Sequence, residues 1–484
     1  MLHVIWKAGI TGKLWRILKS LSSNLSATVK TRYGASRKIT RENGGLQGSS
    51  ITGRLFSKQM DVLSENFIDD YDEKMIISDD LSIGCLEYVD DVGTSTIGIK
   101  NQKSVLTKVD EFAKMNKLEW GEAKCQVMQV GKKTTVPTEW ALGDKQIKNT
   151  TSYKYLGDVI TSDNKNKQNL LSRENILHAV TRQINTTASS EVMKGIETQV
   201  IIDLYEKCIL TSFLNNAESW ILSVSEERQI DKTCIQAVKR LFGLPITTPS
   251  ASVIFHFGLL YATQVVDHKR FLYLHKILQR ESNNWTLLML NHLQLENIGW
   301  AKLICNKLID YGLETNWTQI KNKTKGQWRN EVNIAVEKIN AKKLEENCVT
   351  KAKGEVRVNT KTRWIFESLT TASAATPYVR KPKPEVMIKT KQKARTIIIA
   401  RSGMLECGRN FKGTIKETCI TCNVIDDEDH RLNSCTRWKE TNNHLGDTKV
   451  DFQNVFSEDV DILNEILTDI EKVWETKFSK GRMH

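Results

Sequence analysis

Asp90 and Asp91 stand side by side in LSIGCLEYVDDVGTSTIGI, residues 81–99, between two short apolar runs. The pattern predicts a β-hairpin with adjacent carboxylates at its tip. Carboxylates held on a tight turn suit hard divalent cations, since Mg²⁺ takes a few oxygen ligands and shares the rest with substrate phosphates. Two such ions can stabilise the attacking and leaving oxygens of a phosphoryl transfer. Taken alone, Tyr88-Val89-Asp90-Asp91 fits an ordinary turn equally well, because aspartate favours turns.

A second constellation lies near the C-terminus, where Cys419 and Cys422 are followed by His430 and Cys435. Two thiolates on a tight turn, then an imidazole and a third thiolate, can close a tetrahedron around Zn²⁺. Four soft donors with no spare position predict a structural metal rather than a catalytic one. The other reading is four unrelated residues.

Three further segments accompany the hairpin. GGLQGSSITGRLF (residues 44–56) sets a glycine-rich turn before a predicted helix. KLEWGEAKCQVM (117–128) carries Lys124, and TSYKYLGDVI (151–160) carries Tyr153, Tyr155, Leu156 and Gly157. In order and spacing these segments resemble the palm of reverse transcriptases, above all those of non-LTR (LINE-type) retrotransposons. The family's G-x-x-Q-G element matches Gly44, Gln47 and Gly48, and its Y-x-D-D element matches Tyr88, Asp90 and Asp91. Lys124 matches the lysine that follows, and Tyr155 to Gly157 match the primer-grip YLG. The stretches 208–222, with Glu218 and Trp220, and 238–260 resemble the thumb and post-thumb region of the same elements. The cysteine–histidine unit resembles their C-terminal Cys-Cys-His-Cys knuckle.

The resemblance implies an RNA-directed DNA polymerase, a nucleotidyltransferase of a transposable element. Its cofactors would be Mg²⁺ or Mn²⁺ at the palm and structural Zn²⁺ at the knuckle. Its partners would be an RNA template, a DNA primer and dNTP. Asp90 would bind the catalytic metals with Asp91 in support, and Lys124 would lend charge or a proton to the leaving pyrophosphate. Gln47 and Gly48 would admit the nucleotide and template, Tyr88 would sit under the primer end, and Tyr155, Leu156 and Gly157 would hold the primer in line. The family also uses an aspartate upstream of the glycine-rich element, yet no aspartate precedes Asp61 here. The chain is therefore expected to begin downstream of that motif and to be catalytically incomplete. The alternative class is a non-catalytic nucleic-acid-binding fragment or a domesticated retroelement protein.

The elements that must position these residues are an α+β assembly. Residues 1–160 are expected to form a partial palm, an antiparallel sheet with helices, lacking the first catalytic motif and most of the fingers. Residues 161–370 read as helical thumb and post-thumb, 371–416 as a basic linker, 417–440 as the knuckle and 441–484 as a terminal amphipathic helix with Ile462, Ile466, Ile470 and Val473 on one side. Ser223 and Glu226 have capping-box spacing ahead of a core face of Ile230, Cys234, Val238 and Leu241, and Gly243 and Pro245 end that helix. The linker is either a solvated tether or a nucleic-acid contact.

Composition narrows the classes. With 70 Lys and Arg against 57 Asp and Glu, the formal charge is +13, which suits a polyanionic partner as well as a generic basic surface. No run approaches the about 20 apolar residues of a membrane span. Ten cysteines in 484 residues are no disulfide framework. Cys85, Cys125, Cys208, Cys234, Cys305, Cys348 and Cys407 read as small buried hydrophobes. The acid-free stretch before Glu42 also has the composition of a mitochondrial presequence, although the resemblance explains it better. With no secretory signal, an intracellular protein of nucleus or cytoplasm is expected.

Overall fold

The computed structural model describes residues 2–23, 25–41, 51–66, 74–78, 81–131, 139–188, 196–352 and 355–358, with isolated positions at 362–402, 422–425 and 430. The glycine-rich element with Gly44, Gln47 and Gly48, Cys407, Cys419, Cys435 and the predicted terminal helix lie outside the described residues. The chain is mixed α and β and divides into two compact units, residues 1–168 and 169–484. Among the described residues no helix is long and apolar enough to cross a membrane.

In the first unit, α1 (Leu2–Lys7) and α2 (Gly12–Ser22) precede two small strand pairs. In these, β1 (Leu25–Ala27) pairs with β4 (Ile39–Arg41), and β2 (Lys30–Thr31) with β3 (Gly34–Ala35). Next come α3 (Thr52–Asn66), β5 (Met75–Ser78) with β6 (Leu81–Ile83), β7 (Cys85–Tyr88) with β8 (Asp91–Thr94), and α4 (Ile99–Asn116). A three-stranded sheet ordered β10 (Glu139–Leu142), β11 (Lys145–Thr150), β9 (Gln126–Met128) and the hairpin of β12 (Ser152–Tyr155) with β13 (Asp158–Thr161) complete it.

Most pairs are antiparallel, as expected, but β9 runs parallel to β11, with Lys148 opposite Gln126. The β10–β11 hairpin returns the chain beside β9 and makes this pairing possible. Its turn needs Gly143, at φ +64°, where a Cβ would fall 2.3 Å from a carboxylate oxygen of Asp110 on α4. Met60 and Leu63 of α3, Val105, Val109 and Phe112 of α4, and Trp140, Leu142 and Ile147 of the sheet form the core beneath.

The second unit opens in α5 (Lys167–Ala188) and continues through α6 (Thr198–Leu204), a π-helical turn (Tyr205–Leu210) and α7 (Thr211–Phe213). Then follow α8 (Val224–Phe242), α9 (Ser250–Phe257), α10 (Ala262–Leu278), α11 (Trp285–Leu295), α12 (Gly299–Asp310), α13 (Trp317–Asn322) and α14 (Lys325–Asn347). The capping box is formed: Ser223 N–H donates to Glu226 Oε2 at 2.8 Å, and Glu226 N–H to Ser223 Oγ at 3.4 Å. Ile230, Cys234, Val238 and Leu241 are all buried, and Gly243 caps the helix at φ +62°.

Three features depart from expectation. A strand pair interrupts the helical region after Asn347, where β14 (Val349–Ala352) pairs with β15 (Glu355–Val358), and positions 365, 366 and 369 are helical again. The described positions between 391 and 402 are not an open tether. Ala394, Ile398 and Ile399 are buried in the core of this unit, Lys391 N–H donates to Ile196 O, and Arg395 Nε–H donates to Gly243 O. The apolar run IIIA at 397–400 outweighs the basic composition around it. Third, Cys208 is exposed and Cys85, Cys125 and Cys305 are half-buried, so only Cys234 and Cys348 fit the buried reading among the described cysteines.

A buried ionic cluster ties α10 to its neighbours. Arg270 reaches Asp267 at 2.6 Å and donates to Trp220 O at 2.6 Å. Asp267 also accepts from Tyr311 at 2.9 Å and pairs with Lys307 at 3.1 Å. Removing one member of a buried ionic group strands the others in a poorly solvated interior. Arg270→Ala is therefore expected to destabilise the second unit by about 3–5 kcal/mol, toward the lower end because Lys307 stays beside Asp267. Denaturant unfolding of the full chain measures it.

Candidate functional site

β7 and β8 pair with Cys85 opposite Thr94, Leu86 opposite Gly93, Glu87 opposite Val92 and Tyr88 opposite Asp91. Val89 and Asp90 are the two turn residues, so the predicted hairpin forms with both aspartates at its tip. Val89 sits at φ +59°, in the left-handed region that β-branched residues avoid. Such strain clusters at functional sites and needs the surrounding structure to hold it.

Strand alternation sorts the hairpin's side chains. Cys85, Glu87 and Val92 are half-buried on the inner side, where α3 packs against β7. Burial pushes the Glu87 carboxyl up, and the nearby Asp61 charge adds to this against hydrogen bonds from Cys85 and Ser64. The Cys85 thiol is pushed up by burial and by Glu87. On the outer side Leu86 and Tyr88 are exposed, Tyr88 by 61%. Asp90 and Asp91 are exposed too, and among the described residues no cation lies within ion-pair distance of either.

Lys124 ends a 3₁₀ turn (Glu122–Lys124), and its side chain is exposed. The loop before it is fixed from two directions. Lys145 Nζ donates to Trp120 O at 2.8 Å, and Trp120 Nε1–H donates to Val109 O of α4 at 3.3 Å.

The segment expected to grip the primer is the β12–β13 hairpin, with Tyr155 opposite Asp158 and a two-residue turn of Leu156 and Gly157. Their φ values, +48° and +92°, place both in the left-handed half of the map that tight hairpin turns demand. Glycine meets that demand freely, and leucine does not.

Two phenols join these pieces. Tyr155 O–H donates to Leu86 O on β7 at 3.5 Å, and Tyr153 O–H donates to Lys124 O at 3.2 Å. Both phenols are pushed up, first by burial and then by the Asp91 charge. The structure thus gathers Asp91, Lys124 and Tyr155 into one neighbourhood. The part played by Tyr153 was not legible beforehand. Its two-residue spacing from Tyr155 puts both on one strand face, but the partner lies 29 residues away.

Of the proposed zinc ligands, Cys422 lies half-buried in a turn and His430 is buried. Among the described residues no cluster of three or more His, Cys, Asp or Glu side chains could hold a metal ion. No protein-family model matches the chain, and no curated protein matches it.

Glu87 yields a prediction with a definite sign. Its folded-state pKa is raised, so the folded protein binds the proton more tightly than the unfolded chain. Stability is then lost as pH rises from the ordinary carboxylate range through the raised value. Glu87→Gln is expected to be more stable than wild type at pH 7, with the difference vanishing below about pH 4. Thermal unfolding across that range checks it.

Proposed function

We propose that the chain carries the metal-binding hairpin and primer-holding elements of an RNA-directed DNA polymerase of the non-LTR retrotransposon kind. In this reading the first unit is a reverse-transcriptase palm, the helical second unit its thumb and post-thumb region, and residues 417–440 a zinc knuckle. The observation that supports it is convergence. Two tyrosine hydroxyls draw together segments 29 and 69 residues apart, and these are the segments that carry the carboxylates, the lysine and the YLG turn.

The aspartate pair fits a hard divalent cation. Asp90 and Asp91 are adjacent, exposed, placed at the hairpin tip in the turn and at the first position of β8, and unneutralised by any cation among the described residues. Bound Mg²⁺ or Mn²⁺ would offset the charge that builds on the phosphates during transfer. In the reaction, the primer 3′-hydroxyl gives up its proton to water as its oxygen bonds to the α-phosphorus of a dNTP, and the bond from that phosphorus to the pyrophosphate oxygen breaks as pyrophosphate leaves. Asp90 would hold the metal with Asp91 beside it, and Tyr88 supports the primer end from the exposed side of the hairpin. The turn of Tyr155, Leu156 and Gly157 keeps the 3′ end in line, while Lys124 brings its ammonium to the leaving pyrophosphate. Gln47 and Gly48 receive the nucleotide and template. Cys419, Cys422, His430 and Cys435 are a soft four-donor set suited to structural Zn²⁺.

The family's palm draws one more aspartate from upstream of the glycine-rich element, and positions 1–60 contain none. A second reading, a nucleic-acid-binding protein without polymerase activity, is favoured by the +13 charge.

Primer extension on an RNA template with Mg²⁺ separates the two. Incorporation by wild type that falls at least about 100-fold in Asp90→Ala is expected. Salt-sensitive binding of template without incorporation favours the second reading. No binding of RNA or DNA at all rejects both.

A further inference from the structure

Tyr153 and Tyr155 project from the same face of β12, because alternate residues of a strand share a side. Their hydroxyls end on different main-chain segments. Tyr155 meets Leu86 O, two residues before Tyr88 on the carboxylate hairpin, at 3.5 Å. Tyr153 meets Lys124 O at 3.2 Å. β12 therefore acts as a crossbar between the aspartate hairpin and the lysine turn. Among the described residues no ion pair links those two segments directly. The bond to Lys124 is made at its carbonyl, so the ammonium stays available for another partner.

We infer that Tyr153 is a positioning residue: its phenol fixes the main chain of Lys124 at a set reach from Asp90 and Asp91, with Tyr155 anchoring the crossbar to the hairpin. The role assigned to Lys124 rests on the polymerase reading above. The contact itself does not. Several features make the hydroxyl, rather than the ring, the working part. The 3₁₀ turn that ends at Lys124 spans three residues, and its carbonyl has no regular strand or helix to hold it. Lys145 and Trp120 secure the loop at residue 120. The turn is closed internally by Lys124 N–H to Gly121 O at 2.9 Å and Cys125 N–H to Gly121 O and Glu122 O at 3.2 Å, which leaves the Tyr153 phenol as the side-chain tie on the Lys124 carbonyl. Burial and the Asp91 charge both favour the protonated phenol, so Tyr153 remains a donor at neutral pH. A long, flexible ammonium reaches a leaving group reproducibly only if its backbone is fixed, and displacements near 1 Å can cost about 100-fold in rate.

The test uses the full chain as wild type, Tyr153→Phe, Lys124→Ala and the double variant, with Asp90→Ala as the inactive control. Phenylalanine keeps the ring and removes one hydrogen bond, which corresponds to about a three- to tenfold effect. Amide hydrogen exchange read at residues 121–125 is expected to quicken by about that factor in Tyr153→Phe, while residues 152–161 keep their protection. Single-turnover incorporation is expected to slow by a similar factor with the KM for dNTP unchanged. Adding Tyr153→Phe to Lys124→Ala is expected to cost nothing further, because both act through one group.

Unchanged exchange at 121–125 overturns the contact and the inference with it. A loss of rate that adds fully to that of Lys124→Ala shows that Tyr153 acts through something else, which also overturns it. Quickened exchange in a protein that incorporates nothing even as wild type rejects the polymerase reading. In that outcome the crossbar is a structural contact and the positioning role falls.

Discussion

Two adjacent carboxylates at the tip of a hairpin, Asp90 in its turn and Asp91 at the head of β8, repel one another, and much of the first unit can be understood as what holds them in place. No neighbouring cation among the described residues relieves Asp90 and Asp91, so water screens them and backbone geometry alone sets their spacing. Val89, at φ +59°, adds a conformational cost of about 1–3 kcal/mol. The β7–β8 ladder offsets this from one side. From the other, Cys85 and Val92 pack on the core shared by α3, α4 and the three-stranded sheet. A hairpin with only its own ladder would be marginal in water. The core beneath it turns a strained tip into a fixed one, and fixed carboxylates hold a hard cation better than mobile ones.

The same economy appears at the second hairpin. Leu156 occupies a left-handed position at φ +48°, where glycine would be easier, and the tyrosine pair just before it spans to the carboxylate hairpin and the lysine turn. Strained tips on two neighbouring hairpins, linked by phenols rather than by charge pairs, leave the acidic and basic side chains exposed to an incoming ligand. The second unit solves a different problem. One set of its ionisable groups is drawn inward, with Asp267 pairing with Arg270 and Lys307 and accepting from Tyr311 inside the helical unit. Burial alone would push Lys307 down, but Asp267 and Glu227 hold it above its ordinary value.

What could be read in the residues divides along a physical line. Local signals were legible: the capping box at Ser223 and Glu226, the stop at Gly243, and the hairpin around Asp90 all follow from side chains acting within a few positions. Contacts that depend on the fold were not. The Tyr153 bond to Lys124, the parallel pairing of β9 with β11, and the cluster around Asp267 join residues whose nearness no spacing rule encodes. Composition misled at positions 391–402, where lysines suggested an open tether and a short apolar run placed Ala394 and Ile398 in the core. It misled again at Cys208, which stands exposed on a π-helical turn.

The claim that matters most is that the aspartate hairpin and the tyrosine strand form one metal-binding neighbourhood. Titrating Mn²⁺ into the full chain labelled with fluorotyrosine tests it, since each of the ten tyrosines gives its own fluorine resonance. The lines of Tyr88, Tyr153 and Tyr155 are expected to broaden first, and together, with the effect abolished in Asp90→Ala. Broadening that spreads evenly over all ten, or that persists unchanged in the variant, would contradict it.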